Sequence, residues 1–368
     1  MDQLIIDGGK PLRGTIKVSG SKNSALPILI ATLLTDEPCR IDNVPVALRD
    51  LKTTFKLLES LGKSVDIDGD SVWVKAHGSL KTQAPYELVK QMRASVLAAG
   101  PLLARFGLVR VPIPGGCAIG LRPIDIHLSG FEALGARRIA DSGDIILSAA
   151  RLKPKRVKLK FPSVGATENL MMAAAATEGL TIIENAAREP EIEDLADFLN
   201  KLGARVRGAG TSKVEIRGER SLRGARHTVI PDRIETGTFM IAVAATGGKV
   251  LLAGAVAEHL TALIAKMRAA GAKVESVEGG ISVSMSGRPK PVTVETKPHP
   301  GFPTDVQAPW MTWMCLARGK SKVHETVFEN RFLHAAELLR MGAKISVRGG
   351  SALIEGVEKP GEFVCPEM

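Results

Sequence analysis

Apolar and polar residues recur along this chain with a period of about seventy positions. Five stretches with apolar residues at helical spacing each end in a phrase related to Leu-Gly-Ala-Arg-Val, so the glycine is predicted to cap an amphipathic helix. The glycines of successive phrases are 73, 68, 68 and 71 residues apart. The phrases occupy residues 61–65, 134–138, 202–206, 270–274 and 341–345.

Each repeat also predicts a β-hairpin and a second helix. Short alternating apolar stretches after the phrase, such as 65–67 with 72–74, indicate paired strands. The second helix is apolar on nearly all sides, which is typical of a helix buried all round. We therefore expect α/β repeats in which sheets and amphipathic helices surround a bundle of buried helices. The buried helices are predicted at residues 25–34, 94–103, 170–176, 239–245 and 308–316.

Two groups of three repeats predict two domains. The second domain, residues 21–230, contains the first three repeats. The first domain is discontinuous, 1–20 plus 231–368, and the strand-like segment 16–18 would complete it. A sixth repeat needs about seventy residues beyond Gly342, and the sequence stops at Met368. We expect this domain to be truncated in its sixth repeat and to expose apolar faces.

Polar residues gather where the buried helices begin. Helix N-termini present unpaired N–H groups and a partial positive charge, so several such starts together predict an anion site. Ser24, Thr167 and Thr236 are predicted N-caps. A cation such as Lys22 or Arg93 opposes the helix dipole there, which favours a bound anion over capping alone. The equivalent positions, 71, 74, 69 and 69 residues apart, are Lys22, Arg93, Thr167, Thr236 and Asp305.

Cys117 lies in a glycine-rich loop, five residues before Arg122. Backbone N–H groups and a nearby cation stabilise a thiolate and lower its pKa, so Cys117 is a candidate for chemistry. The alternative is a small loop residue without a chemical role. Cys39 begins a predicted strand, Cys315 lies in an apolar run and Cys365 is near the chain end. Four unpatterned cysteines fit a reducing cytoplasm.

Composition narrows the ligand class. The chain has 368 residues and a net charge of +10, which suits nucleic acid, an anionic membrane or small polyanionic substrates. Basic residues are concentrated at 153–160, where Val157 and Leu159 alternate with them as in a half-buried strand. With one Tyr and 4% aromatic residues, no platform for stacking bases is expected. The N-terminus shows no signal peptide or membrane span. We expect a cytoplasmic protein with small anionic substrates and no nucleic-acid or membrane partner.

Long motifs along the whole chain resemble those of one enzyme family. On these stretches the chain resembles the UDP-N-acetylglucosamine enolpyruvyl transferases, also called 1-carboxyvinyltransferases. The resemblance implies two inside-out α/β barrel domains, each built from similar repeats, with no cofactor and no metal. The stretches are residues 20–27, 92–95, 117–127, 184–192, 231–238, 302–305 and 325–332.

The resemblance also implies an activity. Enzymes of this family transfer the enolpyruvyl group of phosphoenolpyruvate to the 3'-hydroxyl of UDP-N-acetylglucosamine and release phosphate. This is the first committed step of peptidoglycan biosynthesis, so roles in cell-wall biogenesis, cell shape and cell division follow. The expected partners are the two small-molecule substrates.

Residue roles come from the same resemblance. Cys117 matches the residue that protonates phosphoenolpyruvate and is alkylated by fosfomycin, and Asp305 matches the proposed general base. Lys22, with Asn23 and Arg122, matches the residues that contact phosphoenolpyruvate. The matched contacts to the nucleotide sugar are Arg93, Arg122, Pro123, Ile124, Asp125, Ile126, Ser163, Val164, Gly165, Asp305 and Val327.

Two alternatives remain at this point. The family's sixth repeat contributes two arginines that are absent here, and residues 363–368 depart from the family pattern. The chain would then be a catalytically impaired UDP-sugar-binding or regulatory paralogue. The other alternative is 5-enolpyruvylshikimate-3-phosphate synthase chemistry, which the cysteine loop disfavours.

Overall fold

The computed structural model describes residues 8–112, 124–139 and 144–357. These residues form two compact units. The first unit contains residues 8–18 and 231–357, and the second contains residues 19–112, 124–139 and 144–230. Within the described ranges no helix is long and apolar enough to cross a membrane.

Strands and helices alternate along the chain. The N-terminal strand β1 is Arg13–Lys17 and belongs to the first unit. The second unit then contains α1 (Lys22–Ala31), β2 (Cys39–Asp42), α2 (Arg49–Ser60), β3 (Lys63–Asp68), β4 (Ser71–Ala76), α3 (Tyr86–Gln91), α4 (Ala99–Phe106), β5 (Leu108–Pro112), α5 (Asp125–Ala133), β6 (Arg137–Ile139), β7 (Asp144–Ser148), β8 (Arg156–Lys158), α6 (Val164–Ala175), β9 (Gly179–Glu184), α7 (Pro190–Leu202), β10 (Arg205–Arg207), β11 (Lys213–Gly218) and β12 (Arg226–Thr228).

The first unit resumes after residue 230. It contains α8 (Arg233–Thr246), β13 (Lys249–Ala253), α9 (Thr261–Ala269), β14 (Lys273–Val277), β15 (Gly280–Ser284), β16 (Val294–Glu295), α10 (Gln307–Met314), β17 (Lys320–His324), α11 (His334–Arg340), β18 (Lys344–Arg348) and β19 (Ser351–Glu355). Short 3₁₀ helices lie at Thr32–Leu34, Arg93–Ala98, Ala257–Leu260 and Thr304–Val306.

The predicted seventy-residue repeat is confirmed as a structural unit. Each repeat is a core helix, a strand, a second helix and a hairpin whose second strand pairs antiparallel with that first strand, which leaves the first hairpin strand at the edge of the sheet. The sheet orders are β12-β2-β4-β3, β5-β7-β6 and β10-β11-β9-β8 in the second unit, and β1-β13-β15-β14 and β16-β17-β19-β18 in the first.

Two edge strands are exchanged between repeats. In the third repeat β8 precedes α6 and pairs in parallel with β9, the strand that follows α6. In the fifth repeat β16, before α10, pairs in the same way with β17, after α10. By contrast β1, which precedes α1, pairs with β13, with Ile16 opposite Leu252. Strand β12, which precedes α8, pairs with β2. The prediction that the segment 16–18 completes a sheet of the first unit is therefore confirmed.

Burial of the core helices is confirmed for α1 and α6 of the second unit, whereas α8 and α10 of the first unit are only partly buried and expose Thr238 and Thr312. Residues 24–31 of α1 and 166–175 of α6 are all buried, because they are almost entirely small or apolar. In the first unit Trp310 and Trp313 of α10 are both fully buried and lie edge to face, with ring centroids 5.2 Å apart. One apolar cluster surrounds α1, α4 and α6, and another surrounds α8 and α10.

The helix predicted at 94–103 needs correction, because it is split. A 3₁₀ helix covers Arg93–Ala98, and α4 starts at Ala99. Pro101 has no N–H to donate to Leu97, so one backbone hydrogen bond of a continuous α-helix is missing at this point. The side-chain amide of Asn169 also replaces the helical hydrogen bond from the N–H of Gly100 to the carbonyl of Val96.

The last repeat carries exposed apolar side chains. On and beside α11, the exposed fractions are 61% for Leu333, 47% for Leu339 and 41% for Met341. Val347 and Leu353 of the final hairpin are 42% and 47% exposed. Apolar side chains of the second unit, such as Ile67 at 49% and Ile139 at 46%, are exposed to a similar degree.

Asp42 at the end of β2 joins the exchanged strand β12 to its sheet. Its carboxylate accepts hydrogen bonds from Ser71 Oγ at 2.6 Å, Arg40 Nε at 2.7 Å and Arg226 Nε at 2.8 Å. Burial opposes ionisation of Asp42, but these three donors outweigh it and lower its pKa to about 2. The ionised carboxylate thus stabilises the folded state.

We expect Asp42→Asn to lower the free energy of unfolding by about 1–2 kcal/mol at pH 7, since hydrogen bonds to a charged group are lost. Because the folded pKa is depressed, this stabilisation is present above the ordinary aspartate pKa near 4 and is lost as pH falls toward 2. Denaturant unfolding between pH 2 and pH 7 measures it. Asp66→Asn, which alters an exposed pair with Lys75 in the same sheet, is the control. An equal pH dependence for both variants would contradict the assignment.

Candidate active site

The core helices begin with side-chain caps one turn earlier than predicted. Ser21 Oγ accepts the N–H of Ser24 at 3.3 Å, and Ser163 Oγ accepts the N–H of Ala166 at 3.3 Å. Asp232 similarly caps α8. The prediction that Ser24, Thr167 and Thr236 are N-caps is therefore wrong. An N-cap needs extended backbone, which Ser21, Ser163 and Asp232 adopt, whereas the predicted residues already lie inside the helices.

Lys22 and Asn23 form the first turn of α1. Lys22 is partly exposed, and its Nζ lies 3.0 Å from Asp50 Oδ2 in the first turn of α2. Asn23 is exposed. Asp50 was missed by the sequence analysis, because an acidic residue in the first turn of a helix is explained by the dipole alone. In the fold it holds the Lys22 ammonium beside the start of α1.

Residues 124–126 and 163–165 are brought together. Ile124 precedes α5 and Asp125 and Ile126 are in its first turn, while Ser163, Val164 and Gly165 start α6. Helices α5 and α6 pack against each other. A Cβ at Gly165 would lie 3.3 Å from Cε1 of the buried His127 ring, so glycine permits this close approach.

Asn169 links this pair of helix starts to the turn that begins at Arg93. Its Nδ2 donates to Val96 O at 3.0 Å, and its Oδ1 accepts the N–H of Gly100 at 2.7 Å. These two backbone groups would bond each other in a continuous α-helix. The same Nδ2 lies 3.1 Å from His127 Nδ1. One fully buried amide therefore connects the starts of α4, α5 and α6, and only the fold reveals it.

Buried carboxyl groups lie behind these helix starts. Glu168 is 4% exposed, and Glu189 and Glu191 near the start of α7 are 8% and 2% exposed. Burial, followed by the neighbouring charges of Glu191 and Glu189, raises the pKa of Glu168 well above its usual range. The folded state thus favours a protonated Glu168.

Asp305 is the predicted site residue at a helix start of the first unit. It lies in the 3₁₀ turn before α10, and its side chain is 40% exposed. Its Oδ1 accepts a hydrogen bond from Arg331 Nη2 at 2.7 Å. The Arg331 guanidinium also lies 5.4 Å from the centroid of the Phe328 ring. Arg331 stands in a motif stretch of the sequence, but its partner could not be found from spacing.

Glu325 joins Asp305 and Val327. Its Oε2 accepts the hydroxyl of Thr304, the residue before Asp305, at 2.9 Å. Its Oε1 accepts the N–H of Val327 at 2.8 Å and that of Phe328 at 3.2 Å. Glu325 is 5% exposed, and these partly buried bonds fix the turn and the loop together.

Three predicted site residues, Cys117, Arg122 and Pro123, lie outside the described residues, as does the side chain of Arg93. Arg93 itself begins the 3₁₀ helix that packs against α1 and α6. The described part of the second unit therefore places Lys22, Asn23, the backbone of Arg93 and the segments 124–126 and 163–165 at helix starts. Among the described residues no group of three or more His, Cys, Asp or Glu side chains could hold a metal ion.

This arrangement suits recognition of phosphate and carboxylate groups. Helix starts supply N–H donors and partial positive charge, and Lys22 adds an ammonium. In the first unit Asp305 offers a half-exposed carboxylate, oriented by Arg331, that can accept a proton or a hydroxyl hydrogen bond.

Comparison with known proteins identifies the family. A sequence profile described as EPSP synthase (3-phosphoshikimate 1-carboxyvinyltransferase) matches residues 6–365. The chain is 52% identical over 360 residues to UDP-N-acetylglucosamine 1-carboxyvinyltransferase of Nitratidesulfovibrio vulgaris, covering 98% of this chain and 86% of the relative. It is 53% identical over 357 residues to the Sorangium cellulosum protein of the same name, covering 97% and 84% of the two chains.

The solved structure of the enolpyruvyl transferase NikO from Streptomyces tendae shares the fold. Its TM-score is 0.85 at 23% identity, over 95% of this chain and 83% of that one. The fold is thus the two-domain inside-out α/β type of the enolpyruvyl transferases. With the sequence identities above, the chain belongs to the EPSP synthase family and, within it, to the UDP-N-acetylglucosamine 1-carboxyvinyltransferases.

We expect Glu168→Gln to stabilise the folded protein at pH 8 and to leave its stability unchanged at pH 4. In the folded state the pKa of Glu168 is raised. As pH rises above the ordinary glutamate pKa near 4, Glu168 ionises in the unfolded chain before it ionises in the folded protein. The free energy of unfolding of wild type therefore falls as pH rises. Glutamine is neutral and of equal size, so it removes this penalty.

Denaturant unfolding of Glu168→Gln at both pH values is the measurement. Glu178→Gln serves as control, because Glu178 is an exposed carboxylate just after α6, paired with Arg220. A Glu168→Gln protein that is less stable than wild type at pH 8 would show that the carboxyl is ionised and paired.

Proposed function

We propose that this chain transfers the enolpyruvyl group of phosphoenolpyruvate to the 3'-hydroxyl of UDP-N-acetylglucosamine and releases phosphate. The observation that carries the proposal is 52% identity over 98% of the chain to an enzyme named for this transfer. The reaction is the first committed step of peptidoglycan biosynthesis. The relatives favour this activity over a binding paralogue and over shikimate chemistry.

The proposed phosphoenolpyruvate contacts are Lys22, Asn23 and Arg122. The ammonium of Lys22 and the start of α1 suit the phosphate and carboxylate of this substrate, which remain anionic throughout the reaction. We propose that UDP-N-acetylglucosamine contacts a second group of residues. That group is Arg93, Arg122, Pro123, Ile124, Asp125, Ile126, Ser163, Val164, Gly165, Asp305 and Val327.

Two groups are proposed to move protons. Asp305 accepts the proton of the 3'-hydroxyl as its oxygen bonds to C2 of phosphoenolpyruvate, and Cys117 supplies a proton to C3. The resulting tetrahedral adduct loses a proton from C3 and its phosphate from C2, which restores the double bond. The hydrogen bond from Arg331 supports the role of Asp305, because it orients the carboxylate.

We propose the cytoplasm as the place of action. Cys39 and Cys315 are buried free thiols, as is usual for proteins of a reducing compartment. The proposed reaction needs no metal and no cofactor.

The decisive experiment measures phosphate release from phosphoenolpyruvate by residues 1–368, with and without UDP-N-acetylglucosamine. We expect release that depends on the nucleotide sugar and is lost in Cys117→Ser, together with inactivation of wild type by fosfomycin. Cys315→Ser, at a buried thiol in the other unit, is the control and should keep the activity. A folded protein that binds UDP-N-acetylglucosamine without any phosphate release would overturn the proposal in favour of a binding paralogue.

We expect Arg331→Met to lower kcat about ten- to a hundredfold, because a hydrogen bond to a charged group is worth about 1.5–3 kcal/mol. Steady-state phosphate release measures it. Arg340→Met is the matched control, since Arg340 pairs with Glu337 on the surface of α11 in the same unit. Equal kcat values for wild type and Arg331→Met would exclude a role for Arg331 in orienting Asp305.

A further inference from the structure

A buried hydrogen-bond network lies behind the first turn of α1. The hydroxyl of Ser24, which is fully buried, donates to Asp194 Oδ2 of α7. The other carboxylate oxygen, Oδ1, lies 2.7 Å from His227 Nε2 of β12. Asp194 and His227 are 4% and 3% exposed, so the network is shielded from water. None of these three residues belongs to the site described above.

The direction of each bond follows from the outer end of the network. Lys201 Nζ lies 3.0 Å from His227 Nδ1, and an ammonium can only donate, so Nδ1 accepts. The imidazole proton is then on Nε2 and points to Asp194. The N–H of Ile230 also donates to Asp194 Oδ2 at 3.2 Å. The Asp194 side chain therefore accepts from three donors, which satisfies this buried group.

The first turn of α1 needs such a support. Lys22 places a cation at a helix N-terminus, which opposes the helix dipole, and this turn has no acidic residue of its own. The cap bond from Ser24 N–H to Ser21 Oγ is long, at 3.3 Å. Asp50 pairs with the Lys22 ammonium on one side, and the carboxylate of Asp194 adds a second bond to Ser24 from behind the turn.

The network also ties down the chain where it passes from one unit to the other. Ile230 is the last residue of the second unit, and its N–H donates to Asp194. Its carbonyl oxygen accepts the N–H of Ser21 at 2.8 Å. The start of α1 and the end of β12 are thus bonded both to each other and to one carboxylate.

We propose that Asp194 is a positioning residue for phosphoenolpyruvate binding, acting through Ser24 on Lys22 and Asn23. Held from behind by Asp194, the first turn of α1 presents these two side chains in one fixed arrangement. His227 and Lys201 orient and neutralise the carboxylate without reaching the substrate. The inference rests on the proposed function, since Lys22 and Asn23 are its phosphoenolpyruvate contacts.

The test compares Ser24→Ala with Thr32→Val. Both changes remove a fully buried hydroxyl from one continuous helical segment, but Thr32 bonds to Leu29 O at the far end. Phosphate release is measured against phosphoenolpyruvate concentration at saturating UDP-N-acetylglucosamine. We expect Ser24→Ala to raise KM for phosphoenolpyruvate about tenfold, with kcat within about threefold of wild type, since one bond to a charged group is lost. Thr32→Val should keep both constants.

Two further readouts separate positioning from general destabilisation. The dissociation constant for UDP-N-acetylglucosamine should be unchanged in Ser24→Ala. Amide hydrogen exchange in residues 21–26 should be faster in Ser24→Ala than in Thr32→Val, even where thermal unfolding shifts equally. Asp194→Asn should reproduce the effect, because its amide group would face the donors. If Ser24→Ala fails to fold, Ser24→Cys keeps the volume with a weak donor.

The outcomes distinguish the inference from the function on which it rests. Wild-type activity together with an unchanged KM for phosphoenolpyruvate in Ser24→Ala and in Asp194→Asn overturns the positioning role alone. A wild-type chain that neither releases phosphate nor binds phosphoenolpyruvate overturns the proposed function. In that case amide hydrogen exchange still tests whether Asp194 supports the first turn of α1. If residues 21–26 exchange at the same rate in Ser24→Ala as in wild type, this support is also overturned. If they exchange faster in Ser24→Ala, the support is upheld.

Discussion

Burial of the core helices on all sides is the constraint on which the rest of this structure depends. Residues 24–31 of α1 and 166–175 of α6 have lost their contact with water, so these helices have no polar flank. Their unpaired N–H groups and partial positive charge are concentrated at their starts. Helix starts recur in each repeat, although α8 and α10 of the first unit are only partly buried. Of the described residues matched to substrate binding, all but Val327 lie at or next to such starts.

Charges at helix starts need partners, and the neighbouring elements supply them. Lys22 opposes the dipole of α1, and carboxylates from α2 and α7, Asp50 and Asp194, lie close to that turn. In the first unit Asp305 is paired with Arg331 from the loop after β17. Lys22 and Asp305, which we propose to contact substrate, are thus each held by a residue of another element, and this fixes their orientation before substrate arrives.

Much of the fold was predictable because it follows local periodicity. The alternation of apolar and polar residues in the hairpins and the apolar runs of the core helices can each be recognised from a short stretch of sequence. The N-caps were not predictable from the sequence. Ser21 and Ser24 are both residues that favour an N-cap position, and only the backbone conformation decides between them. Likewise, the local sequence around Asn169 does not reveal that its side-chain amide replaces the backbone hydrogen bond between Val96 and Gly100. This replacement splits a predicted helix.

The sequence by itself determined the repeat, the two kinds of helix, the family and the residue types at the helix starts. These are properties of spacing and side-chain chemistry within a few turns of chain. The tertiary structure alone decided the register of β1 on β13, the pairing of β12 with β2, the partners of Ser24 and Asp305, and the charged neighbours of Glu168. Such choices join residues far apart in sequence. They depend on which strand edges and buried polar groups still lack partners once the core has packed.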